Sequence, residues 1–457
     1  MVLRRTGRSW GTQVVAGRFG GAGCALALGC GMWSDGASQL EASLRTASAE
    51  LDGGSSSSAP ADVVSGDWER VLGSSGQSVS SRGVAADAAG HVVVTGYTLK
   101  ALESSEQSSS DAFVAAYSGS GELLWTAELA TPASDAAAGV SLDTAGNALV
   151  AGDTSGALEG AALGFGDAYV AKYSPGGELA WVRQLGTAAP DEATGVSADA
   201  DGNVLVAGFT RGVLEGSRAG TDLDAWIAKY SPAGEALWVR QLGSSVGSDD
   251  ALAGVSTDAD GNVLVAGRSF GALEGESLGS SDAFVAKLSG AGALLWIRQL
   301  GTADYDAAES VRADADGNVF IAGQLAGSFA GGPGVVIPGQ PFVAKYSPSG
   351  EQLWLSALEA GAIGSVSSVA LDGGDAVIAG YTSADWGAPN QGSFDSFVAR
   401  VSADGELLGV LETGTPQLDR ATSVSVDGAG DVFWSREVWN AGDGGFDQAF
   451  VARQTLE

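Results

Sequence analysis

From Trp68 onward the chain is a succession of short runs in which apolar and polar residues alternate, and the runs recur in a fixed order. Trp68, Trp125, Trp181, Trp238, Trp296 and Trp354 open successive copies and Gly409 holds the equivalent place in a seventh, at spacings of 57, 56, 57, 58, 58 and 55 residues. In the copy between Trp181 and Trp238, four runs have the period of two expected of half-buried strands. They are strand a (Gly195–Asp199), strand b (Asn203–Thr210), strand c (Asp224–Tyr230) and strand d (Glu235–Leu242). Asp201-Gly202 suits a positive-φ turn between a and b, and Ser231-Pro232-Ala233-Gly234 a tight turn between c and d. Each copy therefore predicts a four-stranded antiparallel meander.

A lone meander cannot bury both faces, whereas seven arranged radially bury them against one another. The fold expected is all-β, a seven-bladed β-propeller. The last copy supplies strands a, b and c but stops before d, while the segment around Trp68 (GDWERVL) is a d strand without a blade. We expect that segment to complete blade seven and close the ring.

The rest of the chain divides at residues 29 and 64. Residues 1–29 carry Arg4, Arg5, Arg8 and Arg18, no acid and a short apolar run, the outline of a signal peptide. Ala27-Leu28-Gly29-Cys30 resembles the lipobox of bacterial lipoproteins and makes Cys30 the expected lipidation site. Residues 30–64, rich in Ser, Ala and Gly, read as a flexible tether, and 65–457 as the propeller. The expected location is the outer membrane or cell surface, or otherwise secretion.

Composition narrows the chemistry. With 23 Lys+Arg against 55 Asp+Glu, the formal charge of −32 repels nucleic acid. No apolar run approaches the ~18 residues of a transmembrane span. The two cysteines, Cys24 and Cys30, both precede the repeats, and His91 is the one histidine. Cysteine nucleophiles and His/Cys zinc sites are thereby excluded from the repeats, and no cofactor is expected.

The recurring text DAFVAK(Y/L)S..GELLW..QLG....D.A.GV..DADGNV.VAG.T resembles the bacterial β-propeller repeat (SBBP) family, found in secreted and surface proteins. The resemblance covers about residues 66–453. It implies a propeller and export, and it brings no assigned chemistry.

Several recurrent residues invite a role. The repeated Trp is expected to pack between blades, leaving the seam after Gly409 without its anchor. Acids close strand a in every copy (Asp87, Asp143, Asp199, Asp258, Asp314, Asp372, Asp427), three within DADGN, which favours turn capping over a calcium loop. The cations of strand c (Lys172, Lys229, Lys287, Lys345, Arg400, Arg453) should each find an acid. Asp135, Asp191, Asp250, Asp306 and Asp419 read as lying in the d-to-a connections, where they would crowd the channel mouth. With Trp386 and Trp439, read as aromatics of divergent b-to-c loops, they make up the candidate binding face.

The function these readings favour is a monomeric, non-enzymatic binding or scaffold module for an extracellular protein or glycan. The alternatives are a polysaccharide hydrolase or lyase using acids at the channel mouth, blade five with Asp304, Asp306 and Glu309 coming nearest, or a structural surface component.

Overall fold

Two glycine turns set the path of each copy. In the third blade Gly202 (φ +77°) closes the a-to-b turn, its N–H on the Asp199 carbonyl at 3.0 Å, and Gly234 (φ +80°) closes the c-to-d turn on Ser231 at 2.9 Å. Only glycine enters that region without strain, so both turns are fixed by the sequence DG and PAG. The computed structural model describes residues 66–73, 78–101, 108–216, 222–244, 248–326, 339–358, 363–440 and 445–456. The signal segment, the tether and Cys30 lie outside the described residues.

Seven four-stranded antiparallel sheets result, each ordered a-b-c-d from the inside out. In blade three these are Asp191–Ala198, Val204–Thr210, Asp224–Tyr230 and Ala236–Leu242. Each inner strand touches those of the blades on either side, and the seventh touches the first. Blade seven takes strands a to c from Leu418–Val426, Val432–Asn440 and Gly445–Gln454, and strand d from Trp68–Leu72. The register there runs from Trp68 opposite Arg453 to Leu72 opposite Ala449. The N-terminal strand thus closes the ring.

Two expectations about the strands need correction. Strand a begins at Asp191 rather than at Gly195, and equivalently in the other blades. A β-bulge between Ala193 and Gly195 breaks the two-residue period there and hides the first half of the strand from the pattern. Strands b and c, read as half-buried, are buried along their whole length in blade three, because a neighbouring blade covers each face.

The core consequently lies between blades. Seven clusters each join strands of two neighbours, such as Leu264 and Val285 of blade four with Val311, Ile321 and Phe342 of blade five. Glycine in strand a lets the inner strands approach: a Cβ on Gly83 would stand 3.0 Å from the Val140 backbone nitrogen of the next blade. Ser310 fills that position in blade five and accepts the Val369 N–H of blade six at 3.2 Å instead.

The outer seams are pinned by the repeated Trp, as the sequence implies. Trp181 Nε1 donates to the Pro232 carbonyl of the next blade (3.1 Å), and five other copies repeat the bond. These indoles are half-buried rather than enclosed, each lying on a c-to-d turn. Gly409 now has an explanation. Blade seven has no c-to-d turn, since its strands c and d come from opposite ends of the chain, and a Trp at 409 would lack the turn on which the other six lie.

Candidate functional site

The five acids expected to crowd the channel mouth are enclosed within the fold. Asp135, Asp191, Asp250, Asp306 and Asp419 are each 0% exposed and stand at or next to the first residue of strand a. Asp191 Oδ2 accepts from the Thr187 backbone N–H (2.6 Å) and hydroxyl (3.0 Å), and Oδ1 accepts from the Thr210 hydroxyl at the end of strand b. Asp250 takes the same two bonds from Ser244, and Asp419 from Thr415. They shape the d-to-a connection from within and present no carboxylate to solvent. Burial raises the carboxyls of Asp135, Asp191, Asp306 and Asp419, against the opposing hydrogen bonds.

Trp386 and Trp439 are likewise built into the fold. Trp386 is partly buried edge-on against Phe397, at a centroid distance of 4.7 Å, and Trp439 belongs to strand b of blade seven rather than to a loop. Trp439 pairs across the sheet with Leu418, next to Asp419 in blade seven, so it lies beside one of the five acids but on a strand rather than in a binding loop.

Six of the acids closing strand a cap their turns, and five pair with strand c, while Arg453 finds Asp431 instead. Asp199 accepts from the backbone N–H of Asp201 (3.0 Å) and Asn203 (2.9 Å) and lies 2.9 Å from Lys229 Nζ. Asp143 with Lys172, Asp258 with Lys287 and Asp314 with Lys345 repeat the pair, and Asp372 joins Arg400. Burial pushes the Asp199 carboxyl up, but Lys229 and Asn203 more than offset this and hold it below the usual range. Among the described residues no three His, Cys, Asp or Glu come together to hold a metal.

The polar side chains that do converge lie at the channel end bearing the b-to-c loops. One contributing position is the residue after the strand-b glycine: Tyr97, Asp153, Phe209, Arg268, Gln324, Tyr381, and Glu437 in blade seven. Its cross-strand partner two residues before the bulge is Glu192 in blade three and Arg420 in blade seven, but Ser or Ala in the others. The bulged residue itself is Arg82 in blade one and Glu309 in blade five. Of the acids singled out in blade five, Glu309 alone belongs to this group; Asp304 is exposed and Asp306 buried.

Several of these groups interact, in two hydrogen-bonded sets and through longer-range charge effects. Arg82 Nη2 donates to the Tyr97 hydroxyl at 3.0 Å, with the guanidinium 5.4 Å from the ring centroid. Arg420 Nε donates to Glu437 at 3.0 Å, and Ser80 of blade one donates to the other oxygen of the same carboxylate at 2.8 Å. Burial pushes the Asp153 carboxyl up to about 7, helped by Glu192 and Asp135 and opposed by Arg82. Burial also raises Glu309, although Arg268 and Arg420 pull it down. Glu309 and Arg420 belong to blades five and seven, and only the centre of the ring brings groups from non-adjacent blades within reach.

The signal for this group was present in the sequence. Strand c reads DAFVAA, DAYVAK, DAWIAK, DAFVAK, QPFVAK, DSFVAR and QAFVAR in successive copies, an aromatic, aliphatic and alanine core kept throughout, whereas the residue after the strand-b glycine runs through tyrosine, acid, arginine and amide. Comparing copies at positions two before and at the bulge would have found Glu192, Arg420, Arg82 and Glu309. That comparison needs the bulge, which the alternation conceals.

A model of the SBBP family, described as a beta-propeller repeat, matches residues 180–215. The chain carries an SBBP beta-propeller repeat. Comparison with curated proteins gives no match. Solved structures similar to the chain include a catalytically inactive virginiamycin B lyase from Staphylococcus aureus with quinupristin. It is 11% identical, with 85% of this chain and 100% of that one covered and a TM-score of 0.43. A polysaccharide lyase of family PL25, an ulvan lyase, is 13% identical over 85% of this chain and 98% of that one, at 0.42. Drosophila Semaphorin 1b, extracellular domains 1-2, is 10% identical over 84% and 86%, at 0.43. At these values the likenesses carry no argument about this chain. The SBBP repeat itself has the strand text of blade three, from strand d of blade two to the b-to-c loop.

Proposed function

We infer that the protein is a binding module displayed outside the cell, held by the tether of residues 30–64 and a lipid at Cys30, which takes an extracellular glycan at the mouth of its central channel. One observation carries this reading: copies that agree along strand c diverge at the channel-end positions of Arg82, Asp153, Glu192, Arg268, Glu309 and Arg420. Packing explains uniformity between copies; it does not explain why one structural position holds Tyr, Asp, Arg and Gln in turn. Arginine and carboxylate forks with two tyrosines suit a hydroxyl-rich chain, since each supplies directional hydrogen bonds and the rings supply stacking area. The test is a glycan array probed with the full chain and with the double variant Arg82→Ala/Arg420→Ala. Glycans bound by the first and lost by the second support the reading, and an array without hits, or with hits indifferent to the substitutions, refutes it.

A second reading, cleavage of a polysaccharide, has one observation in its favour. Asp153, raised to about 7 and influenced by Glu192, has the protonation behaviour of a general acid near neutral pH beside a second carboxylate. Product release from an array-positive glycan, abolished in Asp153→Asn, would favour it over simple binding.

A further inference from the structure

At the opposite end of the channel, beside the a-to-b turns, the inner strands enclose a cavity of about 170 Å³ lined by Ser141, Ser197, Ser256, Ser425 and Arg312 among aliphatic side chains. The five polar residues occupy one structural position. It is Ser in blades two, three, four and seven, Ala in blades one and six, and arginine in blade five alone. A single guanidinium therefore projects into a ring that the repeat otherwise fills with hydroxyls and methyls.

Among the described residues Arg312 has no acidic partner. Nη1 donates to the carbonyl of the preceding residue, Val311, at 2.8 Å, and no carboxylate among the described residues pairs with it. The acids nearest in sequence are committed elsewhere: Asp314 and its equivalents Asp143, Asp199 and Asp258 face the strand-c lysines. Arg312 is half-buried, and this partial withdrawal from water lowers the guanidinium pKa. A partly desolvated charge without a partner carries a cost, and a protein with 55 acids has no shortage of carboxylates to place beside it.

We propose that this floor of the channel is a binding site for one small oxyanion, a sulfate, phosphate or carboxylate group, held by Arg312 and the surrounding serine hydroxyls. The guanidinium offers a planar fork of donors matched to two oxygens of such a group. Ser425 Oγ already accepts the Ala86 N–H at 3.0 Å, which leaves its proton to donate inward. At ~30 Å³ per water the cavity holds several waters, so it also holds a tetrahedral anion with part of its hydration. The global charge of −32 opposes anions at long range, but salt screens that field within ~8–10 Å while the contact with Arg312 is made in a medium of low dielectric. The site is independent of the glycan reading, since it lies at the other end of the channel and shares no residue with the mouth.

Thermal unfolding of the full chain and of Arg312→Met against sodium sulfate, with ionic strength held by sodium chloride, tests the proposal; sodium acetate in a second series separates a carboxylate site from one for tetrahedral anions. Sulfate stabilises proteins generally by exclusion, so the readout is the difference between the two proteins. A saturable rise in Tm is expected in the wild type with one anion or both, with at least tenfold weaker apparent affinity in Arg312→Met. In anion-free buffer Arg312→Met should melt no lower than the wild type, because it loses an unpaired charge. Equal responses of the two proteins to both anions would overturn the site. So would a lower Tm for Arg312→Met without anion, which would mean that the arginine is already satisfied by the fold.

Discussion

Arg436 Nη2 lies 2.8 Å from Glu69 Oε1, and the same guanidinium reaches Asp419 through Nη1 at 3.2 Å. Strand d of blade seven, from the N-terminal side of the ring, is thus fastened to strand a of the same blade, 350 positions away in sequence by the Glu69–Asp419 span. The arginine stands where the other six blades have the strand-b glycine, so the closing blade alone gave up the common text for an ionic clasp. We expect Arg436→Ala to cost about 3–5 kcal/mol in denaturant unfolding, because it strands Asp419 as a buried charge. Glu69→Ala, at a partly exposed partner, should cost under about 1 kcal/mol. Deleting residues 66–72 should lower Tm and expose the outer edge of blade seven to proteolysis.

The seam pins predict a steric result. Gly234 has φ +80°, and a Cβ there would stand 2.9 Å from Trp181 Cδ2. Gly234→Ala should destabilise by about 1–3 kcal/mol, and Trp181→Ala should relieve part of that cost, giving a positive coupling in a double-mutant cycle measured by urea unfolding. Additive effects would mean that indole and turn do not meet in solution.

Asp153 predicts a pH dependence of definite sign. Its folded pKa, raised by burial to about 7, lies above the unfolded value, so between about pH 4 and 7 the folded state holds a proton that the unfolded state has released. Stability from this group therefore falls as pH rises through that window and stays low above it. Asp153→Asn should remove the decline, making the variant more stable than wild type by up to about 4 kcal/mol at pH 8 and equal to it near pH 4. Guanidinium unfolding at several pH values reads the difference.

The lysine pairs predict the opposite slope. Asp199 is held below its ordinary pKa, so its contribution is present at neutral pH and is lost as pH falls through the folded value. Lys229→Met should cost about 3 kcal/mol at pH 7, by leaving a buried carboxylate, and the penalty should shrink below pH 4 as Asp199 protonates.

The frame of this protein was legible because the positions that build it repeat. Strands b and c, the glycine turns, the Trp at each seam and the orphan strand around Trp68 all recur with a spacing that only closure explains. The site was less legible for a physical reason. The bulge at Thr194 and its equivalents shifts strand a out of period, so the alternation assigns Asp191 to a loop and leaves Glu192 unremarked. The pairing of Lys229 with Asp199 was half visible: a buried cation demanded an acid, but the partner had been spent on the turn. Arg312 and the Glu309–Arg420 coupling depend on strands from different blades meeting at the axis, which no single copy contains.

Binding of an extracellular glycan at the channel mouth is tested most directly by calorimetry. The strongest array-positive oligosaccharide is titrated into the full chain, its Glu309→Gln variant and its outer-rim variant Leu295→Ser. One-to-one binding is expected, weakened at least tenfold by Glu309→Gln and unchanged by Leu295→Ser. Binding lost with Leu295→Ser and untouched by Glu309→Gln would put the ligand on the outside of the ring and contradict a site at the mouth.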